Sequence, residues 1–312
     1  MRRNLLGPCL FLVIVLLTAL PAGVRAAEKQ VLRVAVTVPP LAFFVERIGG
    51  DRVALQVMLP PYASHETYEP TPRQVMALEK SDLYVKVGVP SFTFEKKYID
   101  PFLDKHGNIR VVNLSEGVPL RFMEPHHHEG EKHEGEEHEG EKEEAAHGHG
   151  KEPDPHVWLS PAVVRAAAGR ICQALSGIDP AGEEFYRRNR DRFLGEIDDL
   201  DREIRDALRG EKGMSFLVYH PAWEYFADEY GLVQHAIEAE GKTPDIARIR
   251  EMIDFARAKG IRIIFVQKGF DTKSAGLIAR EIGGEVVEMD PLDENWMESL
   301  KRFSRALRKA AR

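Results

Sequence analysis

Short apolar runs rich in β-branched residues recur in two series: "VLRVAVTV", "VALQVML", "DLYVKVG" and "IRVVNL" early, then "SFLVYH", "LVQHAIEA", "IRIIFVQ" and "EVVEMD" late. Helical patterns lie between them, among them "TPRQVMALEKS" and "PDIARIREMIDFARAKG", the second with apolar residues at 246, 249, 252, 253 and 256. Strand and helix alternate in both halves. This predicts an α/β fold of two lobes with largely parallel sheets, and the 312 residues give each lobe enough chain for its own interior.

Between the series runs "DPAGEEFYRRNRDRFLGEIDDLDREIRDALRG", residues 179–210. Asp179 can cap this segment, Pro180 suits a first helical position and Gly210 can end it. The apolar stripe (Phe193, Leu194, Ile197, Leu200, Ile204, Leu208) is narrow and charges fill the other faces. A helix so long and so charged reads as a strut along two domains. The expected organisation is a signal peptide over 1–26, an N-terminal lobe over 27–178, a linking helix over 179–210 and a C-terminal lobe over 211–312.

The first 26 residues carry two arginines, an apolar run from Leu10 to Leu20 and a small-residue exit at Val24-Arg25-Ala26. This pattern is that of a cleavable secretory signal, and the run is shorter than the ~20 residues of a membrane span. Cys9 sits at the front of the apolar run, so it is no lipoprotein acceptor. The expected location is periplasmic. Cleavage would leave Cys172 as the only thiol, which excludes an internal disulfide and a thiolate metal cluster.

The formal charge is −7, and it becomes −10 once Arg2, Arg3 and Arg25 are removed. Residues 126–150, "HHHEGEKHEGEEHEGEKEEAAHGHG", hold nine Glu and two Lys and so account for −7 of it. The remainder is nearly neutral, which gives no footing for nucleic acid. This insert has no apolar residue larger than alanine and cannot bury a core, so a mobile loop is expected. Its seven histidines (His126, His127, His128, His133, His138, His147, His149) are candidate accessory metal ligands.

Three other histidines stand out by position. His65 follows the second early strand in "LPPYASHETYEPTP", His156 precedes a helix in "DPHVWLSP", and His220 ends the strand run "SFLVYHPAWEYF". Asp290, in "EMDPLDENW", also follows a strand. Each histidine alone is read more readily as a satisfied core residue than as a ligand. In open α/β sheets, however, ligands bind at the carboxyl ends of the strands, and these groups could face one another across a cleft. Imidazole nitrogen and carboxylate oxygen are donors of a tetrahedral zinc site.

The ordered set "SHETYEPTP", "DPHVWLSP", "HPAWEYF", "IEAEGKTP" and "VVEMDPL" resembles the periplasmic zinc-binding components of ABC transporters, the cluster A-I solute-binding family. The resemblance implies two α/β lobes joined by one long helix, with Zn2+ held between them and handed to an ABC transporter permease by a monomer. By motif, His65, His156 and His220 match the family's three histidine ligands, and Asp290 stands where an acidic group completes the shell. Manganese-binding relatives usually carry a carboxylate at the third position. The imidazole of His220 therefore favours zinc.

Some positions depart from the family pattern: "YAS" precedes His65, Thr243 stands in "EGKTPD", and Lys268-Gly269 in "VQKGF". The alternatives are a manganese-binding homologue, a metal buffer or adhesin without a permease, and a zinc-dependent hydrolase with Glu66 or Glu224 as base. Against the last, there is no His-Glu-x-x-His helix or nucleophile motif, and the chain is not expected to be an enzyme. His106 and His235 are read as structural, and Trp158, Trp223 and Trp296 as packing near the ligands.

Overall fold

The computed structural model describes residues 30–61, 63–122, 152–238, 243–267, 269 and 272–311. The expected signal segment and the seven histidines from His126 to His149 lie outside the described residues.

The N-terminal half runs β1 (Leu32–Val36), α1 (Pro39–Gly49), β2 (Val53–Val57), α2 (Pro72–Glu79) and β3 (Leu83–Lys86). A π-helical turn (Glu95–Ile99) leads into α3 (Asp100–Leu103), then β4 (Arg110–Asn113) and α4 (Pro161–Ile178). After α5 (Glu183–Ala207) come β5 (Ser215–Val218), α6 (Glu224–Tyr230), β6 (Val233–Ala236) and α7 (Ile246–Lys259). The chain closes with β7 (Ile263–Val266), α8 (Thr272–Ile282), β8 (Glu285–Glu288) and α9 (Trp296–Ala310).

Each half builds one four-stranded parallel sheet, ordered β2-β1-β3-β4 and β6-β5-β7-β8. The two halves thus share one winding. Inner strands are largely covered on both faces, β7 most completely: every residue of its apolar run "IIFV" is buried. Edge strands tolerate charge, as the exposed glutamates that bracket β8, "EVVE", show.

Local signals set the helix starts. Thr71 and Gln74 form a capping box at α2, the Ser160 hydroxyl accepts the Val163 N–H at α4, and Asp245 accepts the Arg248 N–H at α7. The linking helix begins differently from the sequence reading. Pro180–Gly182 form a 3-10 turn and α5 starts at Glu183, because the Asp179 carboxylate is drawn away from a capping role. It accepts hydrogen bonds from Arg52 Nη1 at 2.9 Å and from the Tyr186 hydroxyl at 2.8 Å.

The 25 residues of α5 span about 37 Å at 1.5 Å per residue. The helix packs on α1 and α4 of the first half and on α9 of the second. Its buried stripe is Tyr186, Phe193, Ile197, Leu200 and Ile204. A continuous core runs from Leu32 to Leu307 through both halves, and a second apolar cluster lies between β5, β7, α7 and α8.

Tryptophans seam the halves together. Trp158 Nε1 donates to Pro291 O at 2.8 Å, and Trp296 Nε1 donates back to Trp158 O at 2.8 Å. Both rings are buried, and Trp296 meets Phe44 of α1 edge-on with centroids 5.0 Å apart. Glu229 of α6 adds a polar tie, accepting the Ser160 hydroxyl and the Ala162 N–H at the start of α4.

Candidate metal centre

The carboxyl ends of the two sheets bring His65, His156 and His220 together. One donor atom from each lies within 4.8 Å of the others. Ring centroids are 5.9 Å apart for His65 and His156, 6.5 Å for His65 and His220, and 5.2 Å for His156 and His220. A tetrahedral ion with Zn–N bonds of ~2.0–2.1 Å needs donors roughly 3.4 Å apart, and donors within 4.8 Å of one another are near that spacing.

His156 is held hardest. Asp154 Oδ1 accepts the His156 backbone N–H at 2.9 Å and lies 2.7 Å from the ring Nδ1. The intervening Pro155 stiffens this turn, and Asp154 itself donates its N–H to Arg121 O at 2.8 Å. Burial keeps His156 well below the ordinary imidazole value, with help from His220. Burial pushes Asp154 up to about 7, against the pull of the His156 N–H and of His220. Joined by the Oδ1 to Nδ1 contact, the two groups titrate as a coupled pair.

His220 sits two residues beyond β5, and its Nδ1 lies 2.5 Å from Glu238 Oε1. Glu238 is two residues beyond β6, the neighbour of β5, and only 3% exposed. Its backbone N–H donates to Tyr219 O at 3.1 Å. Carboxylates placed behind metal-binding imidazoles fix ring orientation and raise ligand basicity.

His65 is arranged otherwise: its ring stacks on Phe92, with centroids 4.6 Å apart and planes 21° apart. Burial, then the neighbouring His156 and His220, hold it well below the ordinary imidazole value. His65 and His156 therefore present neutral rings with lone pairs available at neutral pH.

Asp290 lies on the same edge, two residues beyond β8, but among the described residues the group of converging donors is His65, His156 and His220, without it. Its Oδ1 accepts the Leu292 N–H at 2.9 Å. His106 and His235 lie apart from the trio. His106 stacks on Phe102 with Nδ1 2.8 Å from its carbonyl oxygen, and His235 Nε2 lies 3.2 Å from Ser215 Oγ.

Asp154, Glu238 and Phe92 were absent from the sequence reading. Asp154 had a signal, two residues ahead of His156 with a proline between. Glu238 also had one, since it follows a strand end by the same interval as His220. Phe92 had none.

Residues 34–311 match the family model for zinc-uptake complex component A, periplasmic. The chain belongs to this family. It is 31% identical over 295 residues to the high-affinity zinc uptake system protein ZnuA of Paracoccus denitrificans (strain Pd 1222), covering 88% of this chain and 86% of that protein. It is 26% identical over 296 residues to the protein of the same description from Bacillus subtilis (strain 168), covering 92% and 87%. The crystal structure of a zinc-bound ZnuA deletion mutant is similar at a TM-score of 0.76 and 31% identity, covering 90% of this chain and 98% of that one. The two-lobe α/β architecture of this family member is thus shared with a solved relative.

Proposed function

We propose that this chain captures Zn2+ in the extracytoplasmic space, in the cleft between its lobes, and delivers it to an ABC transporter permease for import. The observation that carries the reading is the convergence of three imidazoles, two of them backed by the buried carboxylates Asp154 and Glu238. Three nitrogen donors suit zinc, whereas a hard manganese ion prefers oxygen. Zinc is here the cargo, and the chain's own chemistry is capture and hand-over, with no bond made or broken in the ligand.

Asp290 completes the shell when the ion is bound. Its support is position: the loop it begins is tied to the His156 loop through the Trp158 to Pro291 hydrogen bond. The chain acts as a monomer, is exported by the signal read in residues 1–26, and carries weaker metal sites on the histidines of 126–150. Metal content and competitive titration of the purified protein test the reading. One tight zinc equivalent and a preference over manganese of orders of magnitude are expected, and equal or tighter manganese binding would overturn the assignment.

A further inference from the structure

Two of the three ligand rings are oriented by carboxylates, and the third is not. His65 Nδ1 is buried and has no hydrogen-bond partner among the described residues. What His65 has instead is the face of Phe92, a fully buried ring nearly parallel to its own. A stacked ring fixes the plane of its neighbour by dispersion and quadrupole fit rather than by a bond to one nitrogen.

Phe92 is itself held on two sides. It meets Trp158 edge-on, with centroids 6.2 Å apart and planes 83° apart, and its N–H donates to Val89 O at 2.9 Å. The loop that carries it is closed by Glu95. That buried carboxylate accepts the N–H of Val87 at 2.6 Å, the N–H of Gly88 at 2.8 Å and the Thr37 hydroxyl. Gly88 has φ +77°, and a Cβ there would meet Asn113 Oδ1 at 1.7 Å, so the path of the loop admits no side chain at this point. On the outer side the Tyr98 hydroxyl donates to Glu69 Oε1 at 2.7 Å, four residues beyond His65. The segment from 87 to 98 thus grips His65 by its ring and by its loop.

We propose that Phe92 is the positioning residue for His65, its ring face setting the imidazole plane where the other two ligands use a carboxylate, and that Glu95 anchors the loop presenting it. The proposal rests on the reading of the three histidines as a zinc site.

The test is a double-mutant comparison by chelator competition for Zn2+ and by the visible spectrum of the Co2+ form. Phe92→Leu is measured in the unaltered chain, in His65→Ala and in His156→Ala. A lost ring stack should weaken zinc about 2- to 12-fold and shift the Co2+ bands. The effect should vanish in His65→Ala and persist in His156→Ala, which a merely structural role would not produce. Equal losses in both backgrounds, or unchanged Co2+ bands, would overturn the proposal. Glu95→Gln, which turns an amide group toward the Gly88 N–H, should act in the same direction with the same dependence on His65. It carries the test should Phe92→Leu lose its circular dichroism. Failure of the unaltered chain to bind zinc would instead remove the metal reading, and this inference with it.

Discussion

Replacing Asp154 by asparagine keeps the volume behind His156 and removes the charge. The asparagine oxygen can still accept the ring and backbone N–H groups that Oδ1 serves at 2.7 and 2.9 Å. The other carboxylate oxygen, Oδ2, is buried and has no hydrogen-bond partner among the described residues. An amide NH2 placed there meets no acceptor, and an unsatisfied buried donor costs about 1–3 kcal/mol. Loss of a carboxylate behind a metal-binding histidine lowers metal affinity about 10- to 100-fold, or roughly 1.4–2.8 kcal/mol. Asp154→Asn is therefore expected to weaken zinc by that factor in chelator competition at pH 7.5.

Calorimetry in buffers of different ionisation enthalpy supplies an independent readout of the same change. With Asp154 pushed up to about 7 in the metal-free protein, the bound ion should expel a proton from this pair, and the release should grow as pH falls from 7 to 6. Zinc affinity should then fall by up to about tenfold per unit below pH 7. In Asp154→Asn this release should shrink. An affinity within twofold of the unaltered chain, with the proton count unchanged, would refute the idea that the pair acts as one unit.

His220→Ala should cost more than about 100-fold in zinc affinity, beyond the range of an outer partner, and Asp290→Ala should cost less than any of the three histidine losses. His235→Ala should cost nothing, and competition titration ranks all of them. In the metal-free protein His65 and His156 are held below their unfolded value of 6.5, so their contribution to stability is full above that pH and is lost as pH falls. Asp154, raised from 3.8 to about 7, works oppositely across that range, but two imidazoles oppose one carboxyl. Tm should fall from pH 7.5 to 5.5, and less steeply in His65→Ala. Deleting residues 126–150 should leave one tight equivalent and remove weaker ones that fade below about pH 6. The described ends of that segment already meet in a bridge between Phe122 and Pro153, and identical stoichiometries in calorimetry would count against any metal role for it.

The eight described strands were legible because each is a short run rich in β-branched or apolar residues, such as "LRVAV" or "IIFV", that suits a pleated sheet. The trio was legible because His65 and His220 follow such runs and His156 sits before a helix start. What lies behind the rings was not. Glu238 supports His220 only because β6 pairs with β5, and strand order is not written in spacing. The helical segment does begin at Pro180, but its first turn is 3-10 and Asp179 makes no cap, because Arg52, distant in sequence, takes its carboxylate. Phe92 reaches His65 through a loop whose shape depends on Glu95, and an isolated phenylalanine carries no mark of its neighbour.

The reciprocal hydrogen bonds of Trp158 and Trp296 set a limit on how the ion can come and go. An indole buries roughly 150–250 Å², worth about 4–6 kcal/mol at ~25 cal/mol per Å². An opening that exposed even one of these rings would leave only about one molecule in 10³–10⁴ parted at any moment. Any exchange of the ion that required either ring to be exposed would be open only for that fraction of the time, so the two indoles act as the latch between the halves.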